Sequence, residues 1–199
     1  MTDDTLNDDE ILAENQVYDF VSNQPVKDNP AEQVLQAVAR SLVQEYGFDH
    51  TQLARDQTIT YSLIDGYGRN RRIRRKVSLA VFPERVSRDV QDHIIRACVT
   101  QAPNVKANDD RRGVPLLEEI LGALPSCNYG LWTNGTDLVF RQKLTGDGRI
   151  QPDYVDLYDL PGAGEDAKSL DDPTRQAGRI ATGDNLQRAL ARVHDYIFG

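Results

Sequence analysis

The chain has 199 residues, of which 39% are hydrophobic and 27% are charged, and its formal net charge is -8. A chain of this length can bury one ordinary core. Its negative charge argues against nonspecific nucleic-acid binding by the whole surface, since such binding depends on neutralising phosphates. The two cysteines and three histidines lack metal-ligand spacing, and no apolar run reaches membrane-spanning length. We therefore expect a cytoplasmic protein with no bound metal, no cofactor and no membrane partner.

The first predicted element is an amphipathic helix over residues 30–46. Asn29 can cap its first turn, Pro30 suits the first helical position and Gly47 can close the far end. Apolar and β-rich runs follow this helix, and a second helix is predicted over residues 114–124. The predicted strands lie near residues 58–63, 77–82, 94–99, 129–133 and 137–141.

Two later patterns complete the order of elements. Asn134 and Gly135 separate the last two of these strands and favour a tight type I′ turn, and "DYVDLYDL" indicates one more strand. The resulting order is helix, three strands, helix and at least two strands. It predicts an α/β fold in which a mixed β-sheet is flanked by helices, with a C-terminal helical extension.

Composition divides the chain into four parts. An acidic segment covers residues 1–28, the α/β domain covers residues 29–160, and a linker rich in proline, glycine and acidic residues covers residues 161–182. Helical periodicity returns over residues 183–199, in a helix too short to be stable without something to pack against. We expect this helix to lead into a downstream region, so that the chain is a fragment or a truncated gene product.

Three segments carry a resemblance to a known family. They read "NQPVKDNPAEQVLQAVARSLVQEYGF", "RRKVSLAVF" and "APNVKANDDRRGVPLLEEILGALPSCNYGLWTNGTDLVF". Together, over roughly residues 16 to 145, they resemble the N-terminal domain of type I restriction enzyme R subunits, a domain also fused to some adenine-specific DNA methylases. The resemblance implies a restriction-endonuclease-like fold of the PD-(D/E)xK type and an order of elements that agrees with the one predicted above.

The catalytic positions implied by the resemblance hold residues unsuited to the chemistry. The Asp that ends the second strand in active members falls on Ser78, and the Glu and Lys of the next strand fall on Ala97 and Val99. A downstream Gln and Tyr fall on Leu116 and Ile120. Mg²⁺ requires oxygen ligands, and an alkyl side chain cannot assist a nucleophile. These substitutions predict a domain that has lost metal-dependent cleavage.

One acid of the family's pattern remains, Glu32 in the first helix. The resemblance thus predicts a catalytically inactive domain of a restriction-modification or DNA-methylase system, which binds or positions DNA or a partner subunit. Two alternatives stay open. The first is an active Mg-dependent endonuclease whose site has migrated to Asp92 or Asp109 together with Lys106, and the second is a structural interaction module that does not bind DNA.

The candidate DNA contacts lie in the basic run "RNRRIRRK", which places six cations in eight positions. Such a run beside a hairpin is either a solvated surface or a set of phosphate contacts of low sequence specificity. Trp132 and Tyr129 alternate with core residues and are interpreted as packing residues rather than base-stacking platforms. The candidate contacts are Arg69, Arg71, Arg72, Arg74, Arg75 and Lys76.

Overall fold

The computed structural model describes residues 15–64, 66–144 and 152–164. Within them the chain forms two α-helices, eight strands and two short 3₁₀ helices. In chain order these are β1 (Gln16–Tyr18), β2 (Pro25–Lys27), α1 (Pro30–Gln44), the 3₁₀ helix His50–Gln52, β3 (Leu53–Ile64), β4 (Asn70–Val81), the 3₁₀ helix Gln91–His93, β5 (Arg96–Thr100), α2 (Val114–Ala123), β6 (Tyr129–Thr133), β7 (Leu138–Leu144) and β8 (Asp153–Leu157). Neither α-helix in these ranges is long and apolar enough to span a membrane.

Six strands form one mixed sheet in the order β3-β4-β5-β6-β7-β8, and β1 and β2 form a separate antiparallel pair. β5 and β6 are parallel, and every other neighbouring pair in the large sheet is antiparallel. The parallel pair requires a crossover connection, which contains α2. The predicted α/β class, with a mixed sheet and two helices, is confirmed.

A hydrophobic cluster covers each face of the sheet. On β5, Ala97 and Val99 belong to the cluster that includes α2, whereas Cys98 belongs to the cluster that includes α1. Side chains alternate along a strand, so this central strand is buried on both faces. Burial raises the pKa of the Cys98 thiol to about 12 and leaves it a packing residue.

The start of α1 follows the predicted capping pattern. The Asn29 side chain accepts hydrogen bonds from the backbone N–H groups of Ala31 and Glu32, at 3.1 and 3.0 Å, and Pro30 occupies the first turn. Gly47 adopts a φ of 73° just beyond the helix, a conformation that other residues rarely adopt. These local signals position Glu32 at the N-terminal end of α1, and the cleft described below lies beside it.

Residues around position 160, the predicted end of the domain, contact its core. Arg96, buried on β5, donates from Nε to the Pro161 carbonyl at 3.2 Å, and Leu160 is fully buried. Residues 161 and 162 are also buried, whereas residues 163 and 164 are exposed. The remainder of the predicted linker and the predicted C-terminal helix, residues 165–199, lie outside the described residues.

Two local features differ from the sequence predictions. The β1–β2 hairpin lies within the predicted acidic segment, and Phe20 at its corner packs against the cluster that includes α1.

β6 and β7 do form the predicted hairpin, but their loop has four residues. Asn134 holds it by accepting from the N–H groups of Thr136 and Asp137, at 2.9 and 2.6 Å, and of the pair only Gly135 has a positive φ. The predicted type I′ turn is therefore wrong.

The edge strand β3 is partly covered by the loop that joins β4 to β5. The side-chain amide of Gln91 accepts from the Thr60 N–H at 2.8 Å and donates to the Thr60 carbonyl at 3.0 Å. Arg88 donates to the Leu53 carbonyl at 2.9 Å. These contacts occupy backbone groups that an edge strand would otherwise expose.

β3 and β4 form a long hairpin whose two halves differ in burial. In the inner half, Ile59 and Val77 are fully buried in the cluster that includes α2. In the outer half, residues 62–64 and 66–72 are exposed. β4 begins at Asn70, whereas a strand was predicted only from about residue 77, so most of the basic run belongs to the strand itself. We call the outer part, residues 60–64 and 66–74, the arm.

Candidate functional site

A cleft opens where the central strands β4 and β5 diverge. The two strands pair only over residues 79–81 and 96–98. Ser78, the next residue outward on β4, bridges the widening gap: its hydroxyl accepts from the Thr100 N–H at 3.0 Å and lies 3.4 Å from the Thr100 carbonyl oxygen. Beyond this bridge the cleft has a volume of about 680 Å³.

Residues from both helices and three strands line the cleft. The lining residues are Asn29, Ala31, Glu32, Leu35, Arg55, Asp56, Arg75, Lys76, Ser78, Thr100, Gln101, Asp110, Arg111, Leu116 and Glu119. Four of these side chains are basic and four are acidic, so the lining carries no net formal charge. The cleft alone is therefore not an electrostatic trap for an anion.

The structure brings some of the positions implied by the resemblance to this cleft and leaves others in the core. Ser78, Glu32 and Leu116 line the cleft. Ala97 and Val99 are at most 1% exposed and pack in the cluster that includes α2, as does the fully buried Ile120. Ala97 and Val99 lie on a strand, as predicted, and their side chains supply packing there.

Glu32 is engaged by a guanidinium and an amide. Arg55 contacts both of its carboxylate oxygens, at 3.1 and 2.9 Å, and also lies 2.8 Å from a carboxylate oxygen of Asp19. Gln36 donates from Nε2 to Asp19 and Glu32, at 2.7 and 2.6 Å. Burial disfavours the charged guanidinium, but the hydrogen bonds with Glu32 and the nearby carboxylates outweigh it and raise the pKa of Arg55. This cluster ties the β1–β2 hairpin and α1 to β3.

A second polar cluster anchors the base of the arm to α2. Arg75 contacts the Glu119 carboxylate through Nε, at 3.1 Å to each oxygen, and Tyr61 donates its hydroxyl hydrogen to the same carboxylate. The hydrogen bond with Glu119 raises the pKa of Arg75. Burial, followed by the bond to Glu119, raises the pKa of the Tyr61 hydroxyl, so the hydroxyl stays protonated at neutral pH. The Arg75 guanidinium is therefore held against α2 by Glu119.

The alternation of side chains divides the basic run between two faces of the hairpin. Tyr61 lies opposite Ile73 and Ile59 opposite Arg75 on the face that packs towards α2. The other face carries the intervening pairs. We call this surface the basic face; its members are Arg72 opposite Ser62, Arg74 opposite Thr60 and Lys76 opposite Thr58.

The basic face holds exposed cations close to hydroxyl groups. Arg72, Arg74 and Lys76 are all exposed. Lys76 lies 2.8 Å from a carboxylate oxygen of Asp56, whereas within the described part of the chain Arg72 and Arg74 have no ion-pair partner. Of the six predicted contacts, the geometry thus brings three together on one surface and assigns Arg75 to the anchor.

The alternative nuclease site would consist of Asp92 or Asp109 together with Lys106. The Asp109 carboxylate accepts from the backbone N–H groups of Arg111 and Arg112, both at 2.9 Å, and these bonds lower its pKa. Asp92 and Lys106 are exposed. In the ranges given above, no group of three or more His, Cys, Asp and Glu side chains is arranged to hold a metal ion.

Several residues of interest escaped the sequence predictions. Arg55 and Glu119 organise the two polar clusters through contacts between distant parts of the chain, which no local pattern reveals. Tyr67 lies in the arm's turn and is 84% exposed. An aromatic residue between two glycines at the end of a strongly basic hairpin is a signal that could have identified it. Trp132, by contrast, is fully buried, which confirms its interpretation as a packing residue.

Comparison of the chain with protein-family models, with curated proteins and with solved structures finds no match.

Proposed function

We propose that this chain is a restriction-endonuclease-like domain of a restriction-modification or DNA-methylase system, which binds the phosphate backbone of duplex DNA and does not cleave it. The observation that carries the proposal is the basic face of the β3–β4 hairpin. Its cations lie on one side of this hairpin, on a chain whose net charge is -8. A local concentration of positive charge of this kind is the electrostatic signature of nucleic-acid binding.

The spacing of the basic face suits a phosphate backbone. Alternate residues of a strand are about 6.6–6.8 Å apart, and each phosphate of one DNA strand advances about 3.4 Å along the helix axis, so the two spacings are of the same order. This spacing allows Arg72, Arg74 and Lys76 each to contact a different phosphate. The hydroxyl groups of Thr58, Thr60 and Ser62 on the same face are suitable further donors to phosphate oxygens.

The cleft supports binding without cleavage. Hydrolysis of a phosphodiester in the family's manner requires carboxylates that hold a divalent cation. At the positions that would supply them, the Ser78 hydroxyl is bonded to the backbone of Thr100, and Glu32 is engaged by Arg55. Ala97 and Val99 contribute alkyl groups to the core.

A salt titration of DNA binding tests the proposal. Wild type and the double variant Arg72→Ala/Arg74→Ala are titrated onto a labelled 20-base-pair duplex of arbitrary sequence at several salt concentrations. Each phosphate contact contributes roughly 0.9 to the slope of log K against log salt, so the double variant should lower the slope by about two. The matched control is Lys27→Ala/Arg85→Ala, which removes the same charge from exposed positions outside the hairpin and should leave the slope nearly unchanged.

Three outcomes would redirect the assignment. Absence of duplex binding by wild type at low salt would favour the structural interaction module. Equal losses in the two double variants would mean that net charge, not the basic face, governs binding. Nicking of supercoiled plasmid in Mg²⁺ or Mn²⁺ that is abolished by Asp92→Ala or Asp109→Ala would establish the migrated nuclease site.

A further inference from the structure

The end of the arm carries the most exposed apolar side chains of the described residues. Ile64 is 77% exposed, Tyr67 is 84% exposed and Leu63 is 49% exposed. All three lie within five positions of the chain, at the end of a hairpin whose inner half is anchored to the core. A cluster of exposed apolar side chains, unlike a single one, is typical of surfaces that contact another molecule.

The charge around this apolar tip favours DNA over an apolar protein surface. The Arg69 guanidinium lies over the Tyr67 ring, 5.2 Å from its centroid, and Arg71 lies opposite Leu63. Between residues 63 and 76 the sequence has six basic residues and a single acid, Asp65. An apolar protein partner would have to desolvate these cations, whereas DNA offers phosphates to the cations and bases to the ring.

The shape of the tip suits insertion between bases. Tyr67 is flanked by Gly66 and Gly68, and a Cβ atom added to either glycine would meet no atom within 4 Å. Gly68 has a φ of 77°, which turns the chain tightly after the tyrosine. The backbone on both sides of the tyrosine is thus narrow, and no atom lies within 4 Å of where a side chain would begin at either glycine.

The arm is also long enough to reach a groove. From its anchor at Tyr61, three residues of strand extend about 10 Å towards the turn. A two-stranded ribbon fits the major groove, and apolar wedges that open a base step are a known mode of DNA binding. When the basic face contacts the DNA backbone, the tip, which lies further along the same hairpin, can enter the adjacent groove of the DNA.

We propose that the tip of the arm, with Tyr67 as its principal residue and Ile64 beside it, inserts into DNA at a base step, so that the domain prefers DNA whose stacking is already interrupted. This inference rests on the proposed function and adds to it a structural preference within duplex DNA. The phosphate contacts of the basic face supply most of the affinity for DNA, and the tip determines the base step at which the domain binds.

The test compares two labelled duplexes of equal length, one fully paired and one with a central two-nucleotide mismatch. Wild type should bind the mismatched duplex more tightly, by at least about fivefold, since stacking of a base on an aromatic ring has roughly that effect or more. Tyr67→Ala should remove this preference while leaving the salt dependence of binding unchanged. Tyr67→Phe keeps the ring and should retain the preference, and Ile64→Ser should reduce it.

The outcomes separate the two proposals. If wild type binds both duplexes equally, or Tyr67→Ala keeps the preference, the insertion inference is overturned while the proposed DNA binding stands. If wild type binds neither duplex at low salt, both fail. If wild type self-associates in sedimentation experiments and Tyr67→Ala abolishes this without changing the binding of either duplex, the tip is a contact between copies of the chain and the inference is overturned. A circular dichroism spectrum of each variant checks that the exposed substitutions leave the fold intact.

Discussion

Arg55 and Arg74 lie on neighbouring strands of one hairpin and carry the same charge, but they have opposite surroundings. Arg55 is enclosed by the carboxylates of Asp19, Glu32 and Asp56. Arg74 lies exposed on the arm, and within the described ranges it has no ion-pair partner. The inner half of the hairpin thus uses its arginine to hold three segments of the fold together, whereas the outer half presents its arginines to solvent.

This difference shows why a count of basic residues in sequence is a poor guide to a binding surface. Arg74 and Arg75 are adjacent in the run "RNRRIRRK", and strand alternation places them on opposite faces. One contacts Glu119, and the other is exposed beside Thr60. The location of acidic partners, which come from distant parts of the chain, decides which arginines serve stability and which are available to a ligand.

The largest effect is expected from removing the enclosed arginine. Arg55→Ala would leave the carboxylates of Asp19 and Glu32, whose side chains are 0% and 10% exposed, without their cation. Loss of one partner of a buried ion pair typically costs about 3–5 kcal/mol. Urea unfolding followed by circular dichroism measures the change. The control Arg72→Ala, at an exposed position of the arm, should alter the free energy of unfolding by no more than about 0.5 kcal/mol, and equal effects in the two variants would contradict the comparison.

An intermediate effect, dependent on pH, is expected at Asp19. Burial raises the pKa of this carboxyl, but hydrogen bonds from Ser22 and Gln36 and the charge of Arg55 outweigh burial and lower it below its ordinary value. The ionised group therefore contributes stability above the unfolded pKa of about 3.9, and the contribution is lost as the pH falls through the lower folded pKa. Asp19→Asn should cost about 2 kcal/mol at pH 7.

The measurement for Asp19 is the difference in unfolding free energy between wild type and Asp19→Asn over a range of acid pH. This difference should begin to shrink as the pH falls below about 4, where the unfolded chain takes up the proton, and should be lost below the lowered folded pKa, because both chains then carry an uncharged side chain at position 19. A difference that stays constant down to the acid transition would contradict the assigned role of the carboxylate.

The smallest effect is expected at the anchor between the arm and α2. Glu119→Gln removes the charge that Arg75 and Tyr61 share, and should cost about 1 kcal/mol because the Arg75 side chain is 40% exposed. The matched control is Glu118→Gln, one position earlier on the same helix, which removes one of the two carboxylate partners of Arg141 on β7. Hydrogen exchange should show faster exchange at the base of the arm for Glu119→Gln alone. Identical exchange in the two variants would mean that the cluster does not anchor the arm.

The elements that could be predicted from the sequence are those with strong local signals. The amphipathic pattern and the cap at Asn29 predicted α1 to within two residues of its observed end, and the buried run around Val99 predicted a central strand. β1 and β2 have only three residues each, too few for a periodic pattern. β4 was predicted too short because charged residues obscured the alternation. Ile73, partly buried in the middle of the basic run and in step with Val77, was the available signal.

The candidate site was less predictable than the fold. The positions implied by the resemblance include Ser78 and Glu32, which do lie together in a cleft. The surroundings that give those residues their present roles come from contacts across the chain: Glu32 is 23 positions from Arg55, and Ser78 is 22 positions from Thr100. Such contacts depend on the register of strands and the placement of helices, which local periodicity does not specify.

The side chain of Gln91 has a consequence for the growth of the sheet. Its amide makes the two hydrogen bonds at Thr60 that the backbone of a seventh strand would make, so it takes the place of one residue of such a strand. A second chain that approached this edge would have to displace the amide before it could pair at Thr60. The loop between β4 and β5 thereby hinders the edge of another sheet from pairing with β3 at this position. A side chain gives this protection, and no additional strand is needed.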